Sequence, residues 1–147
     1  SSIWIFINMD KRRPVRIPEQ LGTAYGIISE KAIERDYNSL TGVSDPQNTR
    51  EFRVRLSDID TNNHTNNVSY MEWMLETLPH DIYKSHTLSW LEIEYKKETG
   101  YGNKIESLCG VLKHNAENIE YCHEIRDMDC ETQYVLGRTL WRKRNVL

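Results

Sequence analysis

No apolar run of about eighteen residues occurs in the chain, so no helical membrane span is expected. Nothing reads as a signal peptide; the apolar residues 3–9 read instead as a strand. Cysteines number only three, Cys109, Cys122 and Cys130, without CxxC spacing. That argues against a zinc site and for a reducing, intracellular setting. An excess of positive charge is also missing: the net charge of −3 speaks against a general affinity for nucleic acid. Hydrophobic residues make up only 38%, beside 28% charged. Four Trp and eight Tyr offset this shortage, because aromatic side chains bury large areas. There is no internal repeat and no low-complexity segment. His80, His86, His114 and His123 have no spacing that suggests a metal, and they are expected at the surface or in turns. Neither a metal nor a cofactor is expected.

A chain of 147 residues fits one main domain, long enough to bury most of the surface its unfolded form exposes. Phe52, Val54 and Leu56 alternate with Arg53 and Arg55, the pattern of a half-buried strand. Val68, Met71, Leu75 and Leu78 fall on one helical face that Tyr70, Trp73 and Met74 widen, with Pro79 as the stop. Leu91, Ile93 and Tyr95 alternate with charged residues in a second strand. Further strands are expected over 105–112, 119–125 and 134–142, with turns between them. One broadly apolar helix followed by successive antiparallel strands predicts an α+β fold, a sheet wrapped around a central helix. Upstream, DKRRPVRIPEQ carries two prolines and reads as an exit from the first strand, and TGVSDPQN reads as a linker.

The densest chemistry lies in DIDTNNHTNNVSYMEW, Asp58 to Trp73. Asp60, Asn62 and His64 alternate, so an extended backbone would put them on one side. Asn66 and Asn67 follow, at the start of the helix, where free N–H groups and the helix dipole favour negative charge. Such a place suits hydrolysis of an activated acyl group, whose intermediate is an oxyanion. The competing reading is a plain turn and cap cluster, for which Asn and Asp are common.

The motif D-x-D-x-N-x-H-x-x-N-x-x-Y, running Asp58, Asp60, Asn62, His64, Asn67 and Tyr70, resembles the signature of acyl-acyl-carrier-protein thioesterases. WLEIEYKKET and GRTLWRKR resemble two later strands of that family, and SSIWIFINMDKRRPVRIPEQL resembles the exit from the first of its two hot-dog domains. The resemblance implies a hot-dog fold. It implies a remnant of a preceding hot-dog domain over 1–21 and a hot-dog thioesterase domain over 49–147; the residues between, 22–48, where the resemblance is weakest, read as a linker with a possible short helix near Ser29 to Tyr37.

It also implies a catalytic set of Asp60, Asn62, His64 and Glu98. Thioester hydrolysis needs an activated water, a donor for the carbonyl oxygen and a proton for the leaving thiolate. Glu98 is assigned as base, His64 and Asp60 position water, and Asn62 donates to the oxyanion. Many plant members of the family carry Cys just after that Glu; here the residue is Thr99, a poor nucleophile without a strong adjacent base, so either water attacks directly, the reading favoured here, or the protein is impaired. Strand parity sets Glu98 with Glu92, Glu94 and Lys96 on the polar face, unless a bulge or a cleft with another domain re-aims it.

The implied reaction is hydrolysis of fatty acyl-carrier-protein thioesters to fatty acid and carrier thiol. The alternatives are an acyl-CoA thioesterase and a non-catalytic half-domain. The implied partner is an acyl carrier protein. Basic clusters at Lys11, Arg12, Arg13 and Arg16, at Lys96 and Lys97, and at Arg142 to Arg144 read as solvated strand edges guarded against mispairing, with a dock for an acidic carrier as the functional alternative. A homodimer, or pairing with a missing hot-dog domain, is expected because the apolar strand Ile3 to Ile7 invites pairing. On that footing the chain alone should be weakly active. The compartment is the bacterial cytoplasm, or the plastid if the source is a plant.

Overall fold

The computed structural model describes residues 5–8, 10–11, 13–26, 28, 30 and 39–144, and the chain divides into two units between Asn38 and Ser39. In the first unit, β1 (Ile7–Asn8) pairs antiparallel with β2 (Arg13–Pro14), and α1 (Glu19–Tyr25) follows. The expected proline-marked exit thus holds a short strand and opens a helix, since Pro18 sits at the N-cap, where a missing N–H costs nothing. The helix expected near Ser29 to Tyr37 lies outside the described residues.

The second unit is built on a five-stranded sheet. Its strands are β3 (Asn48–Arg53), β4 (His86–Tyr95), β5 (Lys104–His114), β6 (Asn118–Asp127) and β7 (Gln133–Lys143). Their order is β3-β5-β6-β7-β4, with every pairing antiparallel. α2 (Asn67–Glu76) packs on one face, so the fold is α+β of the hot-dog type.

Period-2 alternation explains the packing. Ile105, Ile125 and Val135 point inward and meet Tyr70, Trp73 and Met74 of α2 in one cluster. Phe52 stacks on Trp73 with centroids 6.0 Å apart, and Tyr70 meets Trp73 edge-on at 5.4 Å. Gly137 lies under the helix: a Cβ there would stand 2.5 Å from Met74 Sδ. Bare backbone at that point lets α2 settle into the sheet.

Three expectations shift. The buried stripe of α2 runs through Ser69, Tyr70, Trp73 and Met74, while Val68 is exposed, because the helix is rotated to put its aromatics inward; Leu78 is buried beyond the helix end. Leu56 is exposed too: β3 ends at Arg53 and residues 56–58 form a 3-10 turn, which breaks the alternation. Pro79 does not merely stop a helix; it is the N-cap of a second one, α3 (His80–Ser85), whose Ile82 joins Leu78, Tyr121 and Trp141.

The expected linker is a strap. Glu94 accepts from Leu40 N and Glu124 accepts from Val43 N, each at 2.9 Å, and Gln47 N donates to Cys109 O. Gly110 admits it closely, since a Cβ there would lie 2.8 Å from the Asp45 carbonyl.

His123 is the clearest correction. It is fully buried, with Nε2 2.9 Å from Thr139 Oγ1, a hydroxyl that also accepts from Trp141 Nε1. It shares strand parity with Ile119, Tyr121 and Ile125, and that parity was the available signal. Burial depresses its pKa to about 4. Of the other three, His80 and His114 are exposed and His86 is half-buried.

Candidate active site

The segment bearing Asp60, Asn62 and His64 is not extended. Asp60 Oδ1 accepts the backbone N–H groups of Asn62 and His64 at 2.8 and 3.1 Å, and Asp60 N donates to His64 O. An Asp carboxylate that captures the N–H groups ahead of it turns the chain, so the sequence alternation does not become a strand face. Asn63 takes a positive φ of 61° inside this turn, a conformation Asn tolerates. A single bridge between Ile59 and Thr65 closes it. The backbone N–H of His64, then that of Asn62, hold the Asp60 carboxyl below the usual range. The Asn62 side-chain amide contributes to the same carboxylate.

Next to the turn, Asp58 is buried. Burial alone would raise its pKa, but the hydrogen bonds from Arg55 outweigh that and hold it low. Arg55 grips both Asp58 oxygens, at 3.1 and 2.8 Å, and Asp58 O accepts from Asn66 N at 2.7 Å. Asn66 is the N-cap of α2, its side chain accepting from Val68 N at 2.9 Å. That cap consumes a helix N–H expected to face the reaction. The turn and the helix start are thus one rigid piece that presents His64 just ahead of α2.

Glu98 reaches the turn from β4. Past Tyr95 the ladder ends: Tyr134 O accepts from both Lys96 N and Lys97 N, at 2.8 and 3.2 Å. Tyr134 lies at a register shift between β6 and β7. Two donors on one carbonyl break the two-residue alternation, so strand parity does not govern Glu98. Its Oε2 stands 2.9 Å from His64 Nδ1, and both side chains are about half exposed. Asp60, Asn62 and His64 therefore share one turn, and Glu98 joins them through His64.

Thr99 faces inward. Its Oγ1 accepts from Asn103 Nδ2 at 3.0 Å, its N–H donates to the Tyr70 hydroxyl at 2.9 Å, and its carbonyl accepts from Thr65 Oγ1 at 2.7 Å. Tyr70 belongs to the sequence motif but reads there only as part of the apolar helix face, and Thr65 and Asn103 carry no special signal in the sequence. Elsewhere, Lys96 pairs with Glu94 and Arg144 Nε donates to His86 O, so these two expected docking cations already have partners.

Residues 43–143 match the acyl-ACP thioesterase C-terminal domain. A chloroplastic palmitoyl-acyl carrier protein thioesterase of Gossypium hirsutum is 33% identical over 99% of this chain and 38% of its own length. The chloroplastic dodecanoyl-[acyl-carrier-protein] hydrolase of Cinnamomum camphora is 26% identical over 98% of this chain and 39% of its own. The 12:0-ACP thioesterase from Umbellularia californica superposes with a TM-score of 0.76 at 25% identity, covering 94% of this chain and 52% of that one. A putative oleoyl thioesterase from Lactobacillus plantarum gives 0.75 at 24% identity, covering 95% and 55%. This chain thus spans about two fifths of the length of these curated relatives. With its matching region reaching from Val43 to Lys143 across the whole sheet, the turn and the helix, the chain belongs to the acyl-ACP thioesterase family.

Proposed function

We propose that this chain carries the catalytic residues of a hydrolase acting on fatty acyl thioesters of acyl carrier protein. The observation that carries the reading is the 2.9 Å contact of His64 Nδ1 with Glu98 Oε2, beside the Asp60 turn. A carboxylate on Nδ1–H selects the tautomer with Nε2 as acceptor, as in other orienting carboxylate–histidine pairs. This supports giving the base to His64 and the orienting role to Glu98, the reverse of the assignment made from the sequence. Imidazole is also the side chain whose ordinary basicity lies nearest neutrality.

In this mechanism His64 Nε2 takes a proton from water as its oxygen bonds to the thioester carbon. Asn62 donates an amide N–H to the developing oxyanion, while its backbone N–H is held by Asp60. Collapse breaks the C–S bond, and the imidazolium returns its proton to the thiolate. The products are a fatty acid and the carrier thiol. Asp60 acts through the backbone, holding His64 in place.

The carrier is favoured over CoA because these relatives are thioesterases of acyl carrier protein. Exposed Lys97, Arg142 and Lys143 are the cations proposed to meet its acidic surface. β3 and β4 are the edge strands of this sheet, which supports pairing with another hot-dog domain, in a homodimer or otherwise. The compartment proposed is the plastid for a plant source, as for the chloroplastic relatives, and the cytoplasm for a bacterial one.

The test is release of free thiol from matched acyl-carrier-protein and acyl-CoA substrates. Faster turnover of the carrier substrate, abolished by His64→Ala, is expected. Equal or faster turnover of acyl-CoA would move the assignment to an acyl-CoA thioesterase, and none on either substrate would leave a non-catalytic half-domain.

A further inference from the structure

We propose that the backbone of Thr99 is the anchor that sets Glu98 against His64, with Thr65 and Tyr70 as the positioning residues that grip it. The inference rests on His64 and Glu98 being the working pair proposed above.

Both members of that pair are half exposed, and both sit on irregular backbone. An exposed ion pair gains little energy and must hold two side chains against their own entropy. Its geometry therefore has to come from the backbone beneath. One residue away on each side lies a buried contact: Thr65 adjoins His64, Thr99 adjoins Glu98, and Thr65 Oγ1 donates to Thr99 O at 2.7 Å. The Tyr70 hydroxyl takes the Thr99 N–H at 2.9 Å from within α2. Tyr70 is only 2% exposed, and Trp73 and Tyr95 flank its ring. The hydroxyl is thus held by the core, and the core dictates where Glu98 begins. Buried hydrogen bonds of this kind are costly to leave unmade, which gives the anchor its stiffness.

Two of the three bonds to Thr99 use its backbone, and only the Asn103 contact uses its side chain. The anchor therefore does not require a particular side chain at this position.

The experiment uses the whole chain and three variants: Thr65→Val and Tyr70→Phe, which remove one hydroxyl each at nearly constant volume, and Thr65→Ser, which keeps it. Crystal structures read the His64–Glu98 separation, and steady-state kinetics on a fatty acyl-carrier-protein thioester reads kcat and KM. In Thr65→Val and Tyr70→Phe the pair should part beyond about 4 Å, outside ion-pair reach. A shift of that order costs roughly a hundredfold in rate, so kcat should fall by about that factor with KM little changed. Thr65→Ser should restore both readings. Variants that keep the contact and the parent kcat would overturn the proposal. If the parent chain hydrolyses no acyl thioester, the catalytic reading fails, and the crystallographic separation still decides the positioning claim. If one hydroxyl deletion prevents folding, the other decides.

Discussion

His64 Nδ1 lies 2.9 Å from Glu98 Oε2, where the turn ahead of α2 meets the chain leaving β4. If His64 is the base and Glu98 its orienting carboxylate, the two positions respond differently to substitution. His64→Ala and Glu98→Ala should each lower kcat by about two orders of magnitude, the usual worth of positioned proton transfer. Glu98→Gln can turn its amide NH2 toward Nδ1 and select the wrong tautomer, so it should lose at least as much as Glu98→Ala. In the His64→Ala background Glu98→Ala should cost nothing further, because an orienting carboxylate acts only through the imidazole, and a further loss of about a hundredfold there would return the base to Glu98.

Thr99→Ala should leave hydrolysis within about threefold of the parent, because the hydroxyl bonds Asn103 and only the backbone meets Thr65 and Tyr70. Thiol-release kinetics checks this. A loss of two orders of magnitude would mean that Thr99 takes part in the chemistry.

His123 makes stability depend on pH. Its folded pKa is about 4 against an ordinary 6.5, so between these values the unfolded chain binds a proton that the folded one does not. Stability should therefore fall as pH drops through that window, by roughly 3 kcal/mol in all at about 1.4 kcal/mol per pKa unit. Asp58, Asp60, Glu94 and Asp127 also have lowered values, but their contribution is present above the unfolded carboxylate range and is lost only below it. Urea unfolding at several pH values separates the two ranges. His123→Gln should flatten the upper one, and an unchanged slope would clear His123 of responsibility.

Gly137→Ala should destabilise the second unit by about 1–3 kcal/mol, the typical cost of overpacking. The new Cβ would press on Met74 Sδ at 2.5 Å and Cε at 3.3 Å. Combining it with Met74→Leu, which retracts that end, should recover part of the loss as a coupling energy in a thermal-unfolding cycle. Strictly additive effects would show that the clash is relieved elsewhere.

Read as a string, the chain specifies its strands, because alternation of apolar and charged residues needs no knowledge of the fold. It likewise marks α2, through a run too apolar for a surface helix, and the motif residues Asp60, Asn62, His64 and Glu98. The burial of His123 was also written there, in its parity with Tyr121 and Ile125, but a polar residue on an inward face is easily read as surface.

Tertiary structure decided the rest. Whether Asp60, Asn62 and His64 line a strand or a turn depends on which donors the Asp60 carboxylate captures, and that competition is settled only when Asp58 and Asn66 lock the neighbouring chain. The rotation of α2 depends on where Gly137 leaves room. Glu98 meets His64 only because Tyr134 ends the β4 ladder and because Thr65 and Tyr70 hold Thr99. Periodicity along a chain reports local geometry, whereas a contact between distant segments is fixed by packing that many residues share.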